Sequence, residues 1–279
     1  KNNVKNWVAG SSYYGFYNIY NSGKTIIKSN ETYNCKSINT TYGILAAYGS
    51  DEVEMTHNIF KFNQFGQSTS TSYTLPGVAF CYLFQPNRSI VHRVNYNEVD
   101  SNDAGAYYSI GIFTYYAGVE TSNNKVTYNS IERSSGTAVG YWYSMWNYYC
   151  YDVRMNNNVI ANNLGYYGQY GVYAYSFNSG SYKAEIRDNT IQMDGTRSNY
   201  LYNYNFALYA YLYYHTDIRV TGNSVDYRNG YYTYPAYTYN INASNYKEWE
   251  YNNYWVSGFS GQYWYNRLGG ANTFSGWVG

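Results

Sequence analysis

Three stretches, VTYNSI (126–131), EIRDNTI (185–191) and VTGNSV (220–225), share one pattern: an apolar residue, two spacers, an asparagine, one spacer and a second apolar residue. The shorter form, N-x-apolar, recurs at Asn58, Asn97, Asn129, Asn158, Asn189, Asn223 and Asn253, with spacings of 29 to 39 residues. Three residues before the first six stand Met55, Val94, Val126, Met155, Ile186 and Val220. At the seventh, Trp249 fits only if Asn252 is the equivalent residue. Self-similarity at such a period marks a repeat architecture.

Upstream of each asparagine lies a small residue followed by alternating apolar positions: YGILAAY (42–48), GVAFCY (77–82), IGIFTY (110–115), AVGYWY (138–143), GVYAYS (171–176), ALYAYL (207–212) and AYTYNI (236–241). Period-2 patterning of this kind predicts strands, and no stretch keeps a helical period. One unit is therefore strand, variable loop, strand, asparagine corner, strand and loop. A unit of about 30 residues cannot bury its own apolar face, whereas stacked units share one core. The expected fold is all-β, a parallel β-solenoid of about seven coils. With coils about 4.8 Å apart, corner asparagines can hydrogen-bond to those above and below, which explains why the asparagine recurs.

The repeat resembles those of right-handed parallel β-helix proteins, the pectate-lyase-like and NosD-like surface proteins, which carry an asparagine ladder at a tight turn. The resemblance covers about residues 40–256 and implies the fold rather than an activity. The reading divides the chain into residues 1–34, a docking end; 35–256, the parallel β-helix; and 257–279, a Gly- and aromatic-rich tail serving as a second docking end.

Composition narrows the partners. Lys and Arg number 18 against 17 Asp and Glu, which gives no electrostatic footprint for nucleic acid or an anionic membrane. No apolar run approaches the roughly 20 residues of a membrane span. The chain opens at Lys1 without a signal-like segment and reads as a processed product. With 44 tyrosines and only 13% charged residues, many phenols must lie at the surface. Glycosylation acceptor patterns at Asn30, Asn39, Asn87 and Asn242 are compatible with secretion. Cys35, Cys81 and Cys150 leave at least one thiol free or bonded to another chain; burial as three small apolar residues is the alternative.

Strict alternation along the first strand places Ile44, Val78, Ile112, Val139, Val172 and Leu208 inward. Phe113, Tyr115, Trp142, Tyr173, Tyr175, Tyr209 and Tyr211 then face outward as an aromatic patch, with Cys81 in the same outward columns. Such a patch marks a partner surface: sugar rings, another copy, or a loop folded over the sheet.

Enzymes of related fold use clustered carboxylates, so Asp100 and Glu132, expected on adjacent coils with Asp103 nearby, form the single candidate catalytic constellation. Solvated surface carboxylates are the plainer reading. His57, His92 and His215 are scattered, and no metal-binding motif appears, so neither metal nor cofactor is expected. These features together lead us to expect an extracellular structural protein whose uncapped solenoid assembles with itself into a cell-surface layer, sheath or filament. By composition the chain also looks like the major sheath proteins of methanogenic archaea. The alternative is a glycan-binding protein or a β-helix polysaccharide lyase or hydrolase.

Overall fold

The computed structural model of the protein describes residues 1–20, 23–47, 52–65, 77–83, 90–105, 108–131, 140–165, 167–178, 180–194, 205–228, 233–257 and 265–266. These residues wind into a parallel β-solenoid. One coil shows the path: Thr41–Ala47 forms the long side, Val53–Thr56 the second, Ile59–Lys61 the third and Gln64–Phe65 a short fourth. Each strand pairs in parallel with its equivalents in neighbouring coils, giving sheets of nine, eight, nine and five strands respectively. Besides strands, the described residues hold one short 3-10 turn, Ala243–Asn245.

The solenoid starts earlier than expected. Asn3–Lys5 and Glu31–Tyr33 pair with each other on the third side, and Tyr13–Ile19 pairs with Thr41–Ala47 on the long side. The described residues of 1–34 therefore belong to solenoid coils rather than to a separate segment. At the other end Asn253–Ser257 and Tyr265–Asn266 reach into 257–279 and still join the sheets.

Asparagine corners hold the coils together. Between second and third sides, Asn30, Asn58, Asn97, Asn124, Asn158, Asn189, Asn223 and Asn252 form one row. The backbone N–H and Nδ2 of Asn158 both donate to Oδ1 of Asn189, at 3.0 and 2.9 Å, and its Nδ2 also reaches the carbonyl of Thr121 one coil back at 2.9 Å. Asn58, Asn97, Asn124, Asn189 and Asn223 repeat this arrangement, so each amide clamps three coils and leaves no donor unmatched. The residue before each corner is left-handed, as in His57 (φ 57), Tyr96 (φ 57), Asn157 (φ 55) and Asp188 (φ 54). Only Gly222 fills that place with glycine; elsewhere the ladder bonds offset the strain of a Cβ at positive φ.

Two expected ladder members sit elsewhere. Asn253 begins the next strand, and Asn252 takes the corner. Asn129 belongs to a second ladder, Asn63, Asn102, Asn129 and Asn163, at the corner between third and fourth sides. Its first-ladder equivalent is Asn124, five residues earlier, preceded at the third position by Thr121 instead of an apolar residue. The second ladder ends at Asn163, where the pairing register shifts; the third-side strands are five residues long from Val159–Asn163 onward, and from Thr190–Asp194 onward the fourth side is absent among the described residues.

The core is a continuous column of apolar side chains from all four sides, including Phe60, Val99, Val126, Ile160, Ile191 and Val225 on the third and Phe65, Ala104 and Ile131 on the fourth. Along the long side, two successive residues turn inward in every coil: Ala79 with Phe80 and Ala207 with Leu208 both enter the core, while Val78 lies on the outer cluster. The first of each pair stays small because it abuts the third side. A Cβ on Gly43 would lie 2.3 Å from the Phe60 ring, and one on Gly171 2.8 Å from Ile191. This kink shifts the inward column. Val78 pairs with Tyr42 and Ile110 on the outer face, and the core position opposite Ile44 and Ile112 is Phe80. Val139 lies outside the described residues; Met145 fills the equivalent core place.

Candidate functional site

One outward position precedes the kink and, with alternation resumed past it, two follow, which gives three outward columns. From the strand Tyr108–Tyr115 onward they are almost wholly aromatic. One runs Tyr143, Tyr170, Phe206, Tyr234; the next Phe113, Trp146, Tyr173, Tyr209, Tyr237; the third Tyr115, Tyr148, Tyr175, Tyr211, Tyr239. Phe113, Tyr115, Tyr173, Tyr175, Tyr209 and Tyr211 thus share one face. Trp142 does not: it is buried in the core, its indole N–H donating to Ser144 Oγ at 3.0 Å, and Trp146 stands in the outward column instead.

Within columns, rings stack coil on coil. Ring centres of Tyr143 and Tyr170 are 4.3 Å apart at 4°, Tyr209 and Tyr237 4.5 Å at 1°, and Tyr211 and Tyr239 4.3 Å at 9°. The first and second columns meet edge to face, as in Tyr143 with Tyr173 at 82°, whereas rings of the second and third lie near-parallel side by side, as in Tyr173 with Tyr175 at 6°. The rings therefore turn their faces to one another along the solenoid axis and present edges to solvent. The columns are half-buried rather than freely exposed. Burial first, and neighbouring phenols second, raise the phenol pKa values of Tyr148, Tyr173 and Tyr209 far above the ordinary range, so the face stays uncharged.

The second side presents a different column. Glu54, Arg93, Glu120, Arg154, Glu185, Arg219 and Glu248 occupy one outward position in seven successive coils, with alternating sign. Arg93 pairs with Glu54 at 3.1 Å and also with Glu52, and Arg219 pairs with Glu248 at 2.9 Å. Lys24 adds a bond to Glu54 at 2.9 Å. The sequence pattern was visible only once the register was known, because the seven residues are separated by loops of unequal length.

Of the candidate carboxylates, Asp100 and Asp103 lie on different sides of the coil. Asp100 is buried; its coil neighbours in register are Lys61 and Thr127, not Glu132. Lys61 Nζ lies 2.8 Å from Asp100, Thr127 donates at 2.6 Å and Ser101 at 3.0 Å. Burial alone would raise the Asp100 pKa, but these three partners outweigh it and hold the carboxyl below the ordinary range. That is a structural ion pair rather than an acid poised to give up a proton. Asp103 sits on the fourth side between Gln64 and Ser130, and Glu132 lies outside the described residues.

The histidines are structural in their surroundings. Val53 N–H donates to Nδ1 of buried His92 at 3.0 Å, His215 Nε2 meets the Tyr151 carbonyl at 2.7 Å, and His57 stacks on Tyr96. Burial lowers His92 and His215 to about 4, against the opposing field of Glu52 at His92 and the Tyr151 bond at His215. Among the described residues no three His, Cys, Asp or Glu side chains are grouped to hold a metal ion.

The remaining predicted positions separate by burial. Cys35 and Cys150 are buried free thiols, which removes both as sites of a bond between folded chains. Burial pushes the Cys150 thiol up to about 11. Cys81 pairs in register with Leu45 and Phe113, in the outward column; its side chain lies outside the described residues. Asn30 is buried in the first ladder, its Nδ2 donating to Asn58 at 3.1 Å, so the nitrogen a glycan would need is sequestered. Asn39 is half-buried, Asn242 is exposed with its Oδ1 accepting from Ser244, and Asn87 lies outside the described residues. No helix among the described residues is long and apolar enough to cross a membrane. Comparison with protein-family models, with curated proteins and with solved structures finds no match to this chain.

Proposed function

We propose that the protein is a structural element whose long sides pack against those of other copies, building a cell-surface layer or sheath outside the cell. The observation that carries this reading is the commensurate spacing of the aromatic columns, whose rings repeat with the coil period along the strands from Tyr108–Tyr115 to Thr233–Tyr239. A surface with one ring edge per coil is matched row for row by a partner with the same period, and a second copy has that period by construction. Tyrosine edges with their hydroxyls supply contact area together with hydrogen bonding, at low entropic cost. A formal net charge of +1 opposes such packing little.

The glycan-binding reading draws less support from the same geometry. A sugar stacks on the face of an aromatic ring, and here the faces are covered by neighbouring rings while the edges point outward. Of the three carboxylates behind the enzymatic reading, Asp100, Asp103 and Glu132, that of Asp100 is already occupied by Lys61, Thr127 and Ser101.

The test is the assembly state of the purified chain by sedimentation velocity and electron microscopy, beside the double variant Tyr175→Lys, Tyr211→Lys. Ordered lateral assemblies by the parent, lost in the variant with its β-sheet circular dichroism unchanged, are expected. A parent that stays monomeric at high concentration, or a variant that assembles as well as the parent, overturns the proposal.

A further inference from the structure

The tyrosine columns place phenols in contact in a way that lateral packing does not require. Tyr173 and Tyr209 lie 4.5 Å apart at 20°, Tyr209 and Tyr237 4.5 Å at 1°, and Tyr211 and Tyr239 4.3 Å at 9°. Such stacking brings the carbons ortho to each hydroxyl to near van der Waals contact with those of the next ring. A biaryl bond holds two ring centres at almost this separation, so the rings need only turn about their side-chain torsions while the coils stay in place. The columns also touch one another, with Tyr173 and Tyr175 at 6.1 Å and Tyr209 and Tyr211 at 6.4 Å. A radical formed on one half-buried ring has neighbours to exchange with along and across the face.

We propose that these columns are sites of oxidative cross-linking, in which a haem peroxidase acting with hydrogen peroxide joins tyrosines of adjacent coils as dityrosine. Two phenols each give one electron to the peroxidase and one hydroxyl proton to water. The two phenoxyl radicals form a carbon–carbon bond between ortho positions, and the hydrogens on those carbons move to the oxygens, which restores both aromatic rings. The chain loses two hydrogen atoms per bond and one peroxide becomes two waters. The result is a covalent staple between consecutive coils, independent of whether copies of the chain pack together.

The geometry selects particular pairs, and that selection is the test. The full chain is oxidised at high dilution with a peroxidase and hydrogen peroxide, digested with a protease of broad specificity, and mapped by mass spectrometry for peptide pairs two hydrogens lighter than their sum. Tyr173 with Tyr209, Tyr209 with Tyr237 and Tyr211 with Tyr239 are the expected pairs. Tyr239→Phe, which keeps a stacking ring, should abolish the bond to Tyr211 while the other two remain. The controls are built in: Tyr20 and Tyr251, 72% and 82% exposed, are among the described residues the phenols most open to an oxidant. Dityrosine confined to these exposed residues or formed only between chains, or a cross-link pattern unmoved by Tyr239→Phe, overturns the proposal.

Discussion

Replacing Asn158 by alanine tests the clamp that holds the coils in order. The side chain sits mid-ladder and fully buried. Its Oδ1 accepts from the Asn124 backbone N–H at 2.9 Å and from Asn124 Nδ2 at 3.3 Å, and its Nδ2 donates to the Thr121 carbonyl at 2.9 Å. Truncation strands these groups, whereas Asn189 Oδ1 keeps the backbone N–H of residue 158 as a donor. At about 1–3 kcal/mol for each buried unsatisfied group, the three stranded groups give an expected loss on the order of 3–9 kcal/mol, a large share of the roughly 5–15 kcal/mol that stabilises a typical domain. Urea denaturation followed by both fluorescence and circular dichroism measures it; two probes are needed because stacked repeats can unfold in parts. Thr190→Ala, on the exposed edge of the next coil, is the comparison and should stay within about 0.5 kcal/mol. A loss below about 1 kcal/mol at Asn158 would mean that water or a relaxed corner replaces the amide, and the clamp argument would fail.

Gly43→Ala should cost about 1–3 kcal/mol by overpacking, since its Cβ would meet the Phe60 ring at 2.3 Å and the Ala79 carbonyl at 2.6 Å, while Gly10→Ala, with open space around it, should be near neutral in the same denaturation assay. His92 and His215 stay neutral in the folded chain down to about pH 4, whereas in the unfolded chain they take up protons below 6.5. Their contribution is therefore intact above pH 6.5 and is lost as the pH falls toward 4, by about 3 kcal/mol per histidine, and the slope of stability against pH should flatten in His92→Gln, His215→Gln. Cys35 and Cys150 should resist a thiol reagent in the folded chain and react on unfolding; rapid labelling of either under native conditions would contradict their burial.

The solenoid was legible in the sequence because its constraints repeat: an asparagine at each corner, apolar residues on either side of it, and aromatic alternation on one strand. What stayed hidden follows from the same method. Strict alternation fails where Ala79 and Phe80, or Ala207 and Leu208, both turn inward, which misplaced Val78; Trp142 was put on the surface because the fourth copy was aligned on residues 138–143, whereas Tyr148, six residues later, stands opposite Tyr115. The search for an apolar residue ahead of each asparagine passed over Asn124, preceded by Thr121, and took Asn129 from the second ladder. Asn30 was visible as a sequon, yet its place in the ladder was not, since the coil before it had been left out of the repeat.

The alternating column on the second side bears on how a chain so repetitive finds one register. A parallel solenoid whose coils resemble one another can in principle skip a coil and restore most of its apolar contacts, so specificity has to come from features that differ between neighbours. Asparagine ladders cannot supply it, because every corner accepts every other. Glu54, Arg93, Glu120, Arg154, Glu185, Arg219 and Glu248 can: skipping one coil sets like charge on like charge at the new junction, while correct stacking places opposite charges at each step. Each exposed pair contributes little to stability, yet a mispaired junction faces both a lost attraction and a new repulsion. The small residues at the kink act in the same direction, since Gly43 admits the Phe60 ring and a larger side chain there would not. The long side can then be nearly uniform in tyrosine, because register is set on the other sides of the coil.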